Sequence, residues 1–132
     1  MLNYATLKPG ELINFKKGDG SPYDILKKEI QGTLSMISIE ELDVWFDDEF
    51  LLKKELQMPS LVIKNTPNLT ISDWDIVICG NIMFASSNEE GDTVSLTEKA
   101  ERILRQFKQA LLGENPVWLL HNYEVKLSFN FN

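Results

Sequence analysis

Cysteine and histidine each occur once among the 132 residues, as Cys79 and His121. A single cysteine excludes an internal disulfide, and a single histidine leaves no Cys/His set for a zinc site. Cys79 ends the apolar run Ile76-Val77-Ile78-Cys79, where a thiol serves as a small buried hydrophobe. As a nucleophile it would need a nearby base, and nothing in the spacing links it to His121. No apolar run approaches the ~18 residues of a membrane span, and no basic segment followed by an apolar stretch marks a signal peptide. Asn68-Leu69-Thr70 fits a glycosylation sequon, which without an export signal is a chance match. G-x-G-x-x-G, Walker A, G-x-S-x-G and H-E-x-x-H motifs are all missing. The expected location is the cytoplasm.

What is present is ordinary for a globular chain: 43% apolar and 25% charged residues. The length suits a single α+β domain over residues 1–132. Twenty acidic residues against thirteen basic ones give a net charge of −7. A field of that sign repels phosphate backbones and anionic membranes, so neither nucleic acid nor membrane is an expected partner. It suits a basic protein surface.

Along the chain, Leu2–Leu7 reads as a strand, Lys8-Pro9-Gly10 as a turn, and Glu11–Phe15 as a second strand pairing back. Lys17 to Gly20 is loop. A first helix follows, with Ser21 as N-cap, Pro22 at the first turn, Asp24 at the positive end of the dipole, and Ile25, Leu26 and Ile30 as its apolar stripe. Gly32 is the expected left-handed terminator. Thr33–Ile39 reads as a strand. Between Asp43 and Met58 a hairpin, with Asp47-Asp48-Glu49 at its tip, competes with a short helix from Glu49 to Gln57. Leu61–Ile63 is a short strand, and Thr66 to Ser72 is loop. Asp75–Ala85, without strict alternation, reads as one central strand with Gly80 marking a bulge. Gly91 closes a polar turn from Ser86 to Asp92. Ser95 and Glu98 form a capping box for a second helix, whose face is Leu96, Ala100, Ile103, Leu104, Phe107 and Leu111 and whose end is Gly113. Val117–His121 is a short turn. Tyr123–Phe131 alternates as a half-buried strand. The pattern predicts an α+β fold: a mostly antiparallel or mixed sheet of about six to seven strands with two helices packed on one face.

Carboxylates gather twice, at Asp43, Asp47, Asp48 and Glu49, and at Glu89, Glu90 and Asp92 beside Asn88. The first set lacks the spacing and glycine of an EF-hand loop, and reads as a solvated hairpin tip. The second reads as a polar turn ahead of the second helix. Lys99, Arg102, Arg105 and Lys108 spiral around that helix's polar face, diluted by Glu98 and Glu101. Trp45, Trp74 and Trp118 are core candidates, with Trp45 able to anchor a protein contact beside its acidic turn. No catalytic residue, metal ligand or cofactor is assigned. The candidate interaction surface is Trp45, Asp47, Asp48, Glu49, Glu89, Glu90 and Asp92.

Two segments carry a resemblance. One runs from Asp75-Ile76-Val77-Ile78-Cys79-Gly80-Asn81-Ile82-Met83-Phe84 through Asn88-Glu89-Glu90-Gly91-Asp92 into Val94-Ser95-Leu96-Thr97-Glu98. The other is the start: Lys8-Pro9-Gly10, a strand, the first helix and a strand after Gly32. Together they resemble the family known as domain of unknown function 3846, over about residues 1 to 110. The chain departs from it at Leu52–Pro59, where members often show a loop rich in glycine and proline, and the last strand has no counterpart. The resemblance implies an accessory protein of bacterial phages, plasmids or integrative elements, and supplies no catalytic residues. The leading expectation is a non-enzymatic acidic module that binds a host protein with a basic surface. The alternatives are a small-molecule or nucleotide-binding domain, including a carboxylate/divalent-metal enzyme, and a homodimer formed through an edge strand.

Overall fold

The computed structural model describes residues 1–49, 59–64, 75–112, 115–120 and 129–131, with the backbone alone at 112, 115 and 129–131. Strand β1 is Leu2–Leu7, as expected. At the turn, the Glu11 N–H donates to the Lys8 carbonyl (3.0 Å) and Gly10 takes φ +75°. Pro before a positive-φ Gly is the signature of a type II turn. The returning strand β2 is Asn14–Gly18, three residues later than Glu11–Phe15. It pairs antiparallel with β1, Thr6 opposite Asn14 and Leu2 opposite Gly18. The delay seats Ile13 against the core and sets Lys16 across from Tyr4, with its ammonium 3.1 Å from Glu29.

Helix α1, Pro22–Ile30, begins as its residues predict: Ser21 Oγ accepts from the Asp24 N–H at 3.2 Å, and Ile25, Leu26 and Ile30 are buried. It ends differently. Gln31, not Gly32, is left-handed (φ 57°) and donates its N–H to the Lys27 carbonyl at 3.1 Å. Gly32 is required for space, because a Cβ there would land on the Asp47 carboxyl.

The remaining elements are β3 (Leu34–Ile39), β4 (Leu42–Asp47), β5 (Pro59–Ile63), β6 (Ile76–Cys79), β7 (Ile82–Ser87), β8 (Thr93–Val94), α2 (Glu98–Arg105), β9 (Lys108–Leu112), β10 (Asn115–Leu120) and β11 (Phe129–Phe131). They form two sheets. The first runs β11-β3-β4-β7-β1-β2, with β8 paired to β7, and every pairing is antiparallel. The second runs β6-β5-β10-β9, with one parallel pair, β5 beside β10. The first sheet alone holds the six or seven strands anticipated for the whole molecule.

The second sheet went unanticipated because Asp75–Ala85 is two strands. Gly80, at φ +78°, lets the chain leave one sheet after Cys79 and enter the other at Ile82. Its carbonyl accepts from Ser60 Oγ at 2.5 Å, tying the crossover to β5.

The two helices do not share a face. Ile25, Leu26 and Ile30 of α1 pack on Leu2, Tyr4, Met36, Trp45, Met83 and Ala85. On the opposite face, Ala5, Ile37, Val44 and Phe84 meet Ala100, Ile103 and Leu104 of α2, together with Leu61, Ile63 and Leu120 of the second sheet. All six residues of β4 are buried, so cover on both sides is what the strand demands.

Helix α2 is also shorter and later than its apolar spacing suggests. Its N-cap is Thr97, whose Oγ1 accepts from the Ala100 N–H at 3.1 Å. Ser95 Oγ instead accepts from the Asn3 N–H (2.9 Å), and the Leu96 N–H donates to the Asn3 carbonyl (2.9 Å). These two bonds clamp the helix entry to β1. Lys108–Leu112, expected as helix, pairs antiparallel with Asn115–Leu120, part of which was expected as a turn. Tertiary pairing overrides the local preference, and Leu111 is 70% exposed. The expected elements at Phe50–Met58 and Thr66–Ser72, and the alternation over Tyr123–Ser128, lie outside the described residues.

Replacing Gly32 by alanine is expected to destabilise the fold by about 2 kcal/mol, since the methyl must displace a buried carboxyl. Urea denaturation measures this; an unchanged midpoint would contradict the close approach.

Candidate functional site

The two acidic groups are separated by strand register. In β4, Asp43 lies opposite Ala85 and Trp45 opposite Met83. Asp47 therefore sits at the start of β7, and the β7–β8 turn lies at the other end of the sheet.

Two of the first group are not solvated. Asp47 is 7% exposed, and its Oδ1 accepts from the N–H groups of Thr33 (3.1 Å) and Glu49 (3.0 Å). It joins the exit of α1 to the exit of β4. Asp43 is 2% exposed. Its Oδ1 accepts from Ser38 Oγ at 2.8 Å, and its Oδ2 accepts from Ser87 Oγ. Burial pushes the Asp43 carboxyl above its ordinary value, and the bonds from Ser87 and Ser38 oppose that rise. Of the set, Glu49 is exposed and Asp48 half-buried. The solvated tip is thus corrected. Among the described residues β4 pairs with β3 on one edge and β7 on the other, and the far arm of the expected hairpin lies outside them.

Trp45 points into the α1-facing core at 8% exposure, and its indole N–H meets no hydrogen-bond partner among the described residues. Trp118 donates its Nε1–H to the Glu11 carbonyl at 3.1 Å. Trp74 and His121 lie outside the described residues.

The second acidic group is where a polar turn would place it. Asn88 Oδ1 accepts from the Glu90 N–H (3.0 Å) and the Asp92 N–H (2.9 Å), and Gly91 takes φ +84°. Glu89, Glu90 and Asp92 are exposed. Their neighbours are two acids the sequence reading passed over. Glu40 and Glu41 make the two-residue turn between β3 and β4, and the Glu41 carbonyl accepts from Ser86 Oγ at 2.7 Å. Glu40 is left-handed (φ 52°), a conformation usually signalled by Gly, Asn or Asp. One end of the first sheet thus carries five exposed carboxylates: Glu40, Glu41, Glu89, Glu90 and Asp92. Among the described residues, Lys99 lies 2.9 Å from Glu40, and that bond raises its pKa.

Elsewhere, a buried ion pair joins Lys64 to Asp75 at 2.7 Å, both side chains fully enclosed at the end of the second sheet. Burial also pushes the Cys79 thiol up, away from the thiolate that nucleophilic chemistry uses. A hollow of about 580 Å³ beside the β1–β2 turn is lined by Thr6, Lys8, Asn14 and Lys16 among others. Among the described residues, no group of three or more His, Cys, Asp or Glu is placed to hold a metal ion. Among them, too, no helix is long and apolar enough to cross a membrane.

Because its pKa is raised in the fold, Asp43 contributes stability that is present below the unfolded carboxyl pKa and lost as pH rises through the folded one. Asp43→Asn keeps an acceptor, and the serine hydroxyls can turn to meet the new amide. The variant is expected to gain on the wild type in urea titrations as pH rises from about 4 to 7. A gap that does not change with pH would contradict the assignment.

The family model described as Domain of unknown function (DUF3846) matches residues 4–108. No curated protein and no solved structure matches the chain.

Proposed function

The chain belongs to the DUF3846 family, and we propose that it is a single-domain, non-enzymatic accessory protein of a bacterial mobile element. In this reading it acts in the cytoplasm by docking its acidic end on a host protein with a basic surface. The observation that carries the reading is the convergence of two hairpin turns, Glu40-Glu41 and Glu89 to Asp92, at one end of the first sheet. Opposed charge at that range steers encounter and selects against acidic competitors. The β7–β8 turn suits the task because its shape rests on Asn88 and Gly91, leaving the glutamate side chains free. Asp48 and Glu49, at the opposite end, form a second and smaller acidic corner in the same proposal, without the buried Asp47.

The ligand-binding alternative draws on one observation, the hollow near Lys8 and Lys16. Lys16 is already paired with Glu29, which weakens its claim on an anion.

The test joins affinity capture from bacterial lysate with charge reversal at Glu89, Glu90 and Asp92. The expected result is one specific basic partner, lost with the triple lysine variant and lost at about 0.5 M salt, where screening shrinks to about 4 Å. Capture that survives the reversal would contradict the proposal. So would a nucleotide that stabilises the protein by the ~2.7 kcal/mol expected at a hundred times its dissociation constant.

A further inference from the structure

Strand β2 ends the first sheet and, among the described residues, pairs only with β1. An end strand offers unpaired N–H and C=O groups along its outer side. Beside it the surface is unusually apolar. Phe15 is 53% exposed and Leu12 69%. Two hollows, of about 200 and about 440 Å³, meet at Phe15 and run between β2 and α2. The larger is walled by Leu104, Phe107 and Trp118, which are continuous with the main core.

The charge along this groove is inverted relative to the chain. On the groove side Lys17 and Arg105 stand with one acid, Glu101, which lies 3.9 Å from Arg105, in a protein whose net charge is −7. Phe15 lies opposite Ala5, and Lys17 opposite Asn3. Residues two apart share a strand face, so Phe15 and Lys17 both lie on the groove side, while Lys16 lies on the other face beside Glu29.

We infer that β2 is a docking edge for an extended segment of a partner protein that carries apolar and acidic residues two positions apart, on one strand face. Such a segment adds as a further strand, places its apolar side chains beside Phe15 and Leu12, and sets its carboxylates against Lys17 and Arg105. A second copy of this chain is a poor occupant. Its exposed acidic turn, Asn88 to Asp92, carries no apolar residue, and two β2 strands would bring Lys16-Lys17 against its own copy. The surface stands apart from the acidic end and does not rest on the proposal made for it.

The test uses isotope-labelled protein and two short synthetic peptides, one with leucine and aspartate two positions apart on the same strand face and one with lysine in place of the aspartate. The aspartate peptide is expected to shift the amide signals of Phe15 and Lys17 and the indole N–H of Trp118, with weaker binding at high salt. Lys17→Glu combined with Arg105→Glu is expected to weaken it about tenfold, and Phe15→Ser to abolish it. Both changes are at exposed positions, so the thermal midpoint should hold. Equal binding of the lysine peptide would overturn the inference, as would the absence of shifts at those residues. Shifts that grow with protein concentration without peptide would assign the edge to self-association instead.

Discussion

Covering the first sheet on both faces is the constraint from which the rest follows. With α1 on one side and α2 plus the second sheet on the other, β4 and β7 have no solvent face. A polar group placed there must find its partners inside, because an unmet buried carboxylate costs far more than an exposed one. Asp43 meets Ser38 and Ser87; Asp47 meets two backbone N–H groups. Lys64 and Asp75 apply the same rule in the second sheet, where removing either partner alone would leave a buried charge, at a cost of about 3–5 kcal/mol.

The same constraint sorts the surface. Charge driven out of the strands collects where the chain turns, which is why Glu40 and Glu41 come to lie near Glu89, Glu90 and Asp92. Apolar area left over after two-sided packing collects at the uncapped edge, around Phe15 and Leu12. Ends and edges are therefore where recognition is available, one end acidic and one edge apolar with a cationic rim. The opposite edge is β11, on which the anticipated self-pairing would depend.

Features encoded over a few residues were legible in the sequence. Leu2–Leu7, the Pro9-Gly10 turn, the Ser21 cap and the Gly91 turn each depend on short-range chemistry, and each stands where its residues put it. The family was legible for the same reason. Features set by distant contacts were not. Ser95 looked like a helix cap, yet its hydroxyl is taken by Asn3, 92 positions away. Gly80 looked like a bulge, since nothing local says that a strand changes sheets. Asp43 looked solvated because its two serine partners come from other strands. Glu40-Glu41 carried no turn signature, so the acidic end was hidden and its carboxylates were grouped by sequence neighbourhood instead.

Amide hydrogen exchange tests the two-sided burial most directly, because opening free energies rise with enclosure. The account predicts that the amides of β4 and β7 are the slowest in the chain, while those of β2 and β8 exchange orders of magnitude sooner. Exchange in β4 as fast as in β2 would mean that one face of the central strands is open to water, and would contradict the account.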